Sequence, residues 1–404
     1  MMGRRLVPPA GAPLPAGTVL RALLGGSTTG EPGEVLRQRL DMPHAFLLSS
    51  GRAALTVLLQ AMRREPGRRE VVIPAYTCFS VPSAVARAGL TVRLCDVDPK
   101  TLDLDLNALV RLDLSRVLAI VPSGLYGFPG DLPAMEAIAR GAGTSLIDDA
   151  AQCLGATQAG RPCGTFGDAG FYSLGRGKGI TTMGGGVLVT RRGDLAGEIA
   201  RRVRALPRAG RLAGVSAAIE ALAYSMMLAP SRYWIADRVL DLGGSHFEPR
   251  FPLEQLSRFQ ARLAEHIWPA AETYNAARRA RAESLRSGID GIEGIEVPRP
   301  LEAAQPVSLR FPILARDRGH RTRLLARLRR AGIIASASYP TTIREIRGIG
   351  RYLAPAQHAC PGAAAIATRI LTLPTHPDVT ADDVERMIEV IRQERDPRQS
   401  EGRV

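Results

Sequence analysis

Lys178 is one of only two lysines, with Lys100, in a chain that carries 53 Lys plus Arg. A sequence that meets nearly every need for a cation with arginine has kept an amine at this position. Arginine stays protonated in a protein, whereas a buried lysine can lose its proton, and only the neutral amine forms a Schiff base with a carbonyl. Five residues upstream, Ser173 offers a hydroxyl at the end of an apolar run. Downstream, Gly184, Gly185 and Gly186 allow a tight turn before a predicted strand at 187–190. The consecutive acids Asp148 and Asp149 end another apolar run and precede Ala150, Ala151 and Gln152. A carboxylate there suits a cationic ring nitrogen, with the small Ala151 flat against the ring; a helix N-cap is the plainer role for Asp149. Ser50-Gly51 opens a helix whose unpaired N–H groups suit a phosphate, unless Ser50 is simply an N-cap.

The elements that must position these groups alternate regularly. Residues 45–49 read as a short strand end or an apolar lead-in, strands are predicted at 70–74, 91–96, 117–122 and 144–148, and helices at 52–62 and 132–140. That alternation predicts an α/β fold with a mostly parallel sheet, whose ligands bind beyond the carboxyl ends of the strands. Helical spacing returns from 252 to 285. The segments 308–314, 320–331 and 332–340 then suggest a small α/β unit closed by the last helix. The expected division is an N-terminal loose arm (1–30), a large domain (31–285) with a helical insertion at 191–247, and a small C-terminal domain (286–404). The tail after Arg392 is charged and expected to fray.

Composition narrows the function classes. At 404 residues, 45% hydrophobic and 23% charged, the chain is an ordinary folded protein with room for two domains. The net charge of +14 favours acidic partners such as phosphates or anionic lipid. No helix-turn-helix, zinc or aromatic-interleaved basic signature accompanies it, which argues against nucleic acid. Cys78, Cys95, Cys153, Cys163 and Cys360 are odd in number and lack a CxxC pair, which suits a reducing cytoplasm. Six scattered histidines show no metal-ligand spacing, so no metal is expected. The most apolar late stretch, 215–228, is too short and interrupted to span a bilayer. The insertion around it reads as a cover for the site, a subunit interface or a peripheral membrane contact.

The motifs SSGRAAL (49–55), EVVIPAYTCFS (70–80), RLCDVDPKTLDLD (93–105), GLYG (124–127), LIDDAAQCLGA (146–156), GTFGDAGFYSLGRGK (164–178) and MGGGVLVT (183–190) occur in order. Together they resemble the DegT/StrS family of pyridoxal-phosphate aminotransferases, and 370–391 resembles its closing segment. The resemblance implies a fold-type I architecture and transfer of an amino group from an amino acid, glutamate by analogy, to a nucleotide-linked keto-sugar. Such products serve cell-surface polysaccharide or secondary-metabolite synthesis. It implies that Lys178 carries pyridoxal 5'-phosphate covalently and that Asp149 pairs with its ring nitrogen. Ala151 would pack on the ring, with Gln152 near the ring substituents. Ser173, Gly51 and Arg52 would hold the phosphate. Tyr126, Arg250 and Tyr339 fall in its substrate-side motifs, and a homodimer is implied. The chain departs from the family at Arg52 (usually Thr), Cys78 (usually an aromatic stacked on the ring), Gly124 (usually His) and Ser338 (usually His). Tyr76 or Phe79 is the expected substitute for the missing aromatic, and EPRF (248–251) the expected copy of a partner-facing phosphate segment. Two alternatives remain. One is a sugar dehydratase, which retention of Lys178 argues against. The other is a regulatory or nucleic-acid-binding protein on the same fold.

Overall fold

The computed structural model describes residues 5–25, 32–63, 67–236, 246–355 and 357–394. Strands β1 (His44–Leu48), β2 (Glu70–Pro74), β3 (Thr91–Cys95), β4 (Val117–Ile120), β5 (Ser145–Asp149), β6 (Ala169–Ser173) and β7 (Gly186–Thr190) form one sheet. Its order is β1-β7-β6-β5-β4-β2-β3. The five strands from β3 to β6 pair in parallel, and β7 runs against both of its neighbours. Every residue of β2, β4 and β7 is buried. Parallel strands covered on both faces need continuous apolar runs, which is why EVVIP and VLAI read as strands without alternation.

The helices that matter below are α1 (Ala16–Leu24), α2 (Gly51–Met62), α3 (Ser80–Arg87), α4 (Leu132–Gly141), α5 (Gly193–Ala205), α6 (Arg211–Met227) and α7 (Tyr233–Ala236). They continue as α8 (Arg258–Ile267), α9 (Ala270–Ile289), α10 (Arg318–Arg330) and α11 (Ala381–Arg392). The Ser50 hydroxyl caps α2 by accepting the Ala53 N–H at 3.1 Å, and the last helix opens on a Thr380/Asp383 capping box. Strands β8 (Arg310–Ala315) and β9 (Ile370–Pro374) pair antiparallel, with Ile295–Glu296 on the outer edge of β8. Helices α9, α10 and α11 pack around this small sheet over their own apolar core.

Two expectations change. Residues 332–340, expected as part of the small α/β unit, contribute no helix or strand to it; Ile333 and Ser336 make single bridges to Val7 and Thr372. The N-terminal segment is not loose where it is described. Val7, Ala10, Ala12 and Leu14 are buried, the Leu6 N–H reaches Pro230 O at 2.9 Å, and Val7 N–H reaches Gly332 O at 2.8 Å. Arg5 pairs with Asp383, whose side chain is wholly buried. Prolines keep this stretch irregular without preventing its apolar residues from filling a groove. The insertion is helical at α5, α6 and α7. Its residues 237–245 lie outside the described residues, as does the charged tail from 395.

Candidate active site

The carboxyl ends of β2, β4, β5 and β6 meet the N-terminus of α2 around a cavity of about 200 Å³. Gly51, Arg52, Cys78, Ala151, Gln152 and Ser173 line it, together with Asp149 and Lys178. All eight expected cofactor-side residues are therefore brought together. A wider vestibule of about 480 Å³ adjoins it and shares Arg52, Cys78, Gln152 and Lys178. Tyr126, Tyr339, Arg176, Arg310, His246 and Glu248 also line this outer space.

Strand geometry separates the two acids. Successive side chains on β5 point to opposite faces, so only one of the pair can face the cavity. Asp149 does. Its Oδ1 accepts the Ala151 N–H at 3.0 Å, and the Ser123 hydroxyl lies 3.4 Å from Oδ2. Burial raises the Asp149 carboxyl to about 6, against the lowering effects of the Ala151 N–H, the Lys178 charge and the Ser123 hydroxyl. Asp148 instead accepts the backbone N–H groups of Gly164 and Phe166, which holds the turn before β6. Its carboxyl is pushed to about 7, again mainly by burial. It belongs to the scaffold.

Lys178 is half-buried in the loop between β6 and β7, and its N–H reaches Gly175 O at 3.3 Å. No carboxylate lies within ion-pair distance of it among the described residues. The loop is closed by the Leu174 N–H on Gly185 O and the Thr182 N–H on Leu174 O, both at 2.9 Å. Behind it, the fully buried Arg278 of α9 donates to Gly179 O at 2.8 Å, to Gly11 O at 3.2 Å and to Asn275 Oδ1 at 2.9 Å.

The residues fit the cofactor that the sequence implies. Ala53 N–H is taken by the Ser50 cap, which leaves the Gly51 and Arg52 N–H groups ahead of the first helical bonds. A Cβ on Gly51 would sit 3.0 Å from Ser173 Cβ and 3.3 Å from its hydroxyl. Glycine thus lets the Ser173 hydroxyl close against a helix N-terminus and form a phosphate cup. At the other end of the cavity, the buried Asp149 carboxylate suits a cationic group.

The departures have physical counterparts. Arg52 Nη1 lies 3.1 Å from Glu248 Oε2, and its guanidinium stands 4.4 Å over the Phe251 ring, so its charge is directed out of the cup. Neither Tyr76 nor Phe79 substitutes for the missing aromatic. The Tyr76 hydroxyl bonds Tyr339 O at 3.1 Å, and both rings pack on the Tyr339 ring, at 6.0 and 5.8 Å. Cys78 keeps the wall position, with the Ser80 hydroxyl 2.9 Å from its sulfur. A Cβ on Gly124 would stand 2.2 Å from Cys153 Sγ, so that thiol occupies the space a larger residue would need. Arg250 is exposed and lines neither cavity.

Tyr126 and Tyr339 do reach the site. The Tyr126 hydroxyl bonds Ser338 O, and Gln152 Nε2 lies 3.4 Å from the Tyr339 hydroxyl while Gln152 Oε1 accepts the Tyr126 N–H at 3.1 Å. Sequence reasoning missed Thr77, Ser123, Arg310 and Arg278. Thr77 donates to Ser123 at 2.9 Å, and both follow strand carboxyl ends, a position that marks them. Arg310 Nη1 lies 3.2 Å from the Ser338 hydroxyl. Nothing distinguishes Arg278 from its arginine neighbours in sequence.

Comparison with known proteins converges on one family. The chain is 27% identical over 350 residues to the UDP-N-acetyl-3-dehydro-alpha-D-glucosamine 3-aminotransferase of Acidithiobacillus ferrooxidans, covering 86% of this chain and 84% of that protein. It is 27% identical over 374 residues to the dTDP-3-amino-3,4,6-trideoxy-alpha-D-glucose transaminase of Streptomyces venezuelae, covering 92% and 88%. The crystal structure of a sugar aminotransferase from Micromonospora echinospora superposes with a TM-score of 0.75 at 24% identity, covering 97% of this chain and 99% of that one. The model of the DegT/DnrJ/EryC1/StrS aminotransferase family matches residues 21–392, and the chain belongs to that family of pyridoxal-phosphate enzymes.

Proposed function

We propose that the chain transfers an amino group from an amino-acid donor, glutamate, to the carbonyl of a nucleotide-linked keto-sugar. The observation that carries this reading is the convergence of Lys178, Asp149 and Ser173 on one cavity that opens into an arginine-lined vestibule. Pyridoxal 5'-phosphate, when bound, supplies the electron sink for breaking and forming bonds at the substrate carbon. In this reading the α2 N-terminus and Ser173 hold its phosphate, and Asp149 keeps the ring nitrogen protonated. The Lys178 amine takes and returns the proton at the reacting carbon. Ser123 and Thr77 keep the Asp149 carboxylate aimed. Arg176 and Arg310 give the vestibule the charge that suits a diphosphate, and the two relatives named above are both named for nucleotide-linked sugars.

The same reading makes the enzyme a cytoplasmic homodimer. Arg250, exposed and lining neither of the two cavities, would in this reading serve a neighbouring subunit. The test is direct. Cofactor-loaded protein is incubated with glutamate and a panel of nucleotide-linked keto-sugars, and 2-oxoglutarate and the aminated product are followed by mass spectrometry. Turnover of at least one panel member is expected. Loaded enzyme that accepts an amino group from glutamate yet passes it to no member contradicts the acceptor class.

A further inference from the structure

Helix α6 is apolar on both sides. Ala217, Ala218, Ala221, Tyr224 and Leu228 face the core, and Tyr224 accepts the Ala12 N–H at 3.3 Å. On the outward side Leu212, Val215, Ile219 and Met226 are 86%, 56%, 64% and 60% exposed. Their spacing of three, four and seven residues places them in one stripe. A helix that is apolar all round has apolar surroundings on both faces. Next to it α1, which packs against α6, exposes Leu20, Leu23 and Leu24, and α7 exposes Trp234.

The rim of this patch is basic. Arg21 on α1 and Arg232 between α6 and α7 are exposed, and Trp234 shares a surface groove with Arg329 and Arg330 of α10. The helices α1, α6 and α7 contain a single acid, Glu220, which turns aside to pair with Arg176 at 3.2 Å. Against a second copy, a two-fold contact would bring one basic-rimmed face against another. An anionic bilayer complements such a rim, and an apolar stripe with a tryptophan and arginines at its margin is what an interfacial helix presents to lipid. Among the described residues no helix is long and apolar enough to cross a membrane.

We propose that the outward face of α6, with Leu23, Leu24 and Trp234, seats this enzyme peripherally on an anionic phospholipid surface. The Arg176–Glu220 pair ties that helix to the vestibule wall, so docking brings the vestibule alongside the membrane. The experiment floats the full-length, cofactor-loaded protein with vesicles of phosphatidylcholine alone or mixed with phosphatidylglycerol. Binding to the anionic vesicles only is expected, weakened by salt and accompanied by a blue shift in tryptophan emission that Trp234→Phe removes. Leu212→Glu with Ile219→Glu is expected to cut partitioning by about tenfold or more. Its thermal melt and cofactor binding should match wild type, since both sites are exposed. Absence of wild-type binding at every composition overturns the proposal. So does an oligomer larger than a dimer that the double substitution dissolves while vesicle binding is absent, which would make the face a protein contact.

Discussion

The Arg278 guanidinium donates to the carbonyl oxygen of Gly179 at 2.8 Å, one residue beyond Lys178. The same side chain holds Gly11 of the N-terminal segment, so a buried cation joins the lysine loop to a stretch of chain far away in sequence. Burial lowers the Arg278 guanidinium to about 10, which leaves it charged at neutral pH. Its hydrogen bonds to carbonyl oxygens offset part of that desolvation.

Arg278→Met keeps the bulk and removes the donors. Three buried acceptors then lose their partner, at a cost of about 2–5 kcal/mol in unfolding free energy. Denaturant unfolding measures that loss. A positioning role adds a kinetic signature: kcat should fall by about tenfold in folded, cofactor-saturated enzyme, with KM little changed. Unaltered kcat in that enzyme would reduce Arg278 to a structural residue.

The neighbouring acids should separate cleanly. Asp149→Asn removes the carboxylate at the cavity and is expected to lower kcat by about a hundredfold or more. Asp148→Asn retains an oxygen that can accept the Gly164 and Phe166 N–H groups, so activity should stay within about threefold of wild type. Steady-state kinetics on both variants decides it, and equal losses would contradict the division of labour on β5.

The pH dependence of cofactor stabilisation carries a definite sign. Burial raises Asp149 to about 6 from an ordinary carboxylate value near 4. Between those values the folded apo protein holds more protons than the unfolded chain, so this group's contribution to stability falls as pH rises through the window. A cationic ring nitrogen opposite the carboxylate cancels that loss. The rise in melting temperature on adding pyridoxal phosphate should therefore grow from about pH 4 to about pH 6 and level off above it, and the growth should shrink in Asp149→Asn. Identical growth in the variant would assign the effect to another group.

Glu248 competes with the phosphate cup for Arg52. Glu248→Gln removes the ion pair, leaving the arginine free to turn inward, and is expected to tighten cofactor binding by about two- to fivefold. Ser173→Ala, which removes a donor from the cup itself, should weaken it by about tenfold. Fluorescence titration of both variants orders the two contributions. Weaker binding in Glu248→Gln would mean that Arg52 serves the site from where it now lies.

Much of the sheet was legible because a buried strand is apolar along most of its length: 70–74 was read to the residue and 91–96, 117–122, 144–148 and 187–190 to within two, whereas β6 was seen only as an apolar run ending at Ser173. Lys178, Asp149 and Ser173 were legible through residue type and position at strand ends. Asp148 was harder, since two adjacent acids look alike until the pleat assigns them to opposite faces. What escaped depends on contacts distant in sequence. Arg278 reaches Gly179 across 99 residues. Cys153 fills the space beside Gly124, and Tyr76 and Phe79 turn to Tyr339 instead of the cavity. The N-terminal segment read as loose because prolines interrupt it, yet residues 7–12 are all buried.

The most direct test uses the scarcity of lysine. Holoenzyme is reduced with borohydride and digested with trypsin, and the cofactor is located by peptide mass. With only Lys100 and Lys178 in the chain, the modified residue is read without ambiguity. The expected result is cofactor mass on the 177–191 peptide, uncut at Lys178, and none in Lys178→Ala. Label on Lys100, or a wild-type protein that takes up no cofactor at all, would contradict the central role given to Lys178.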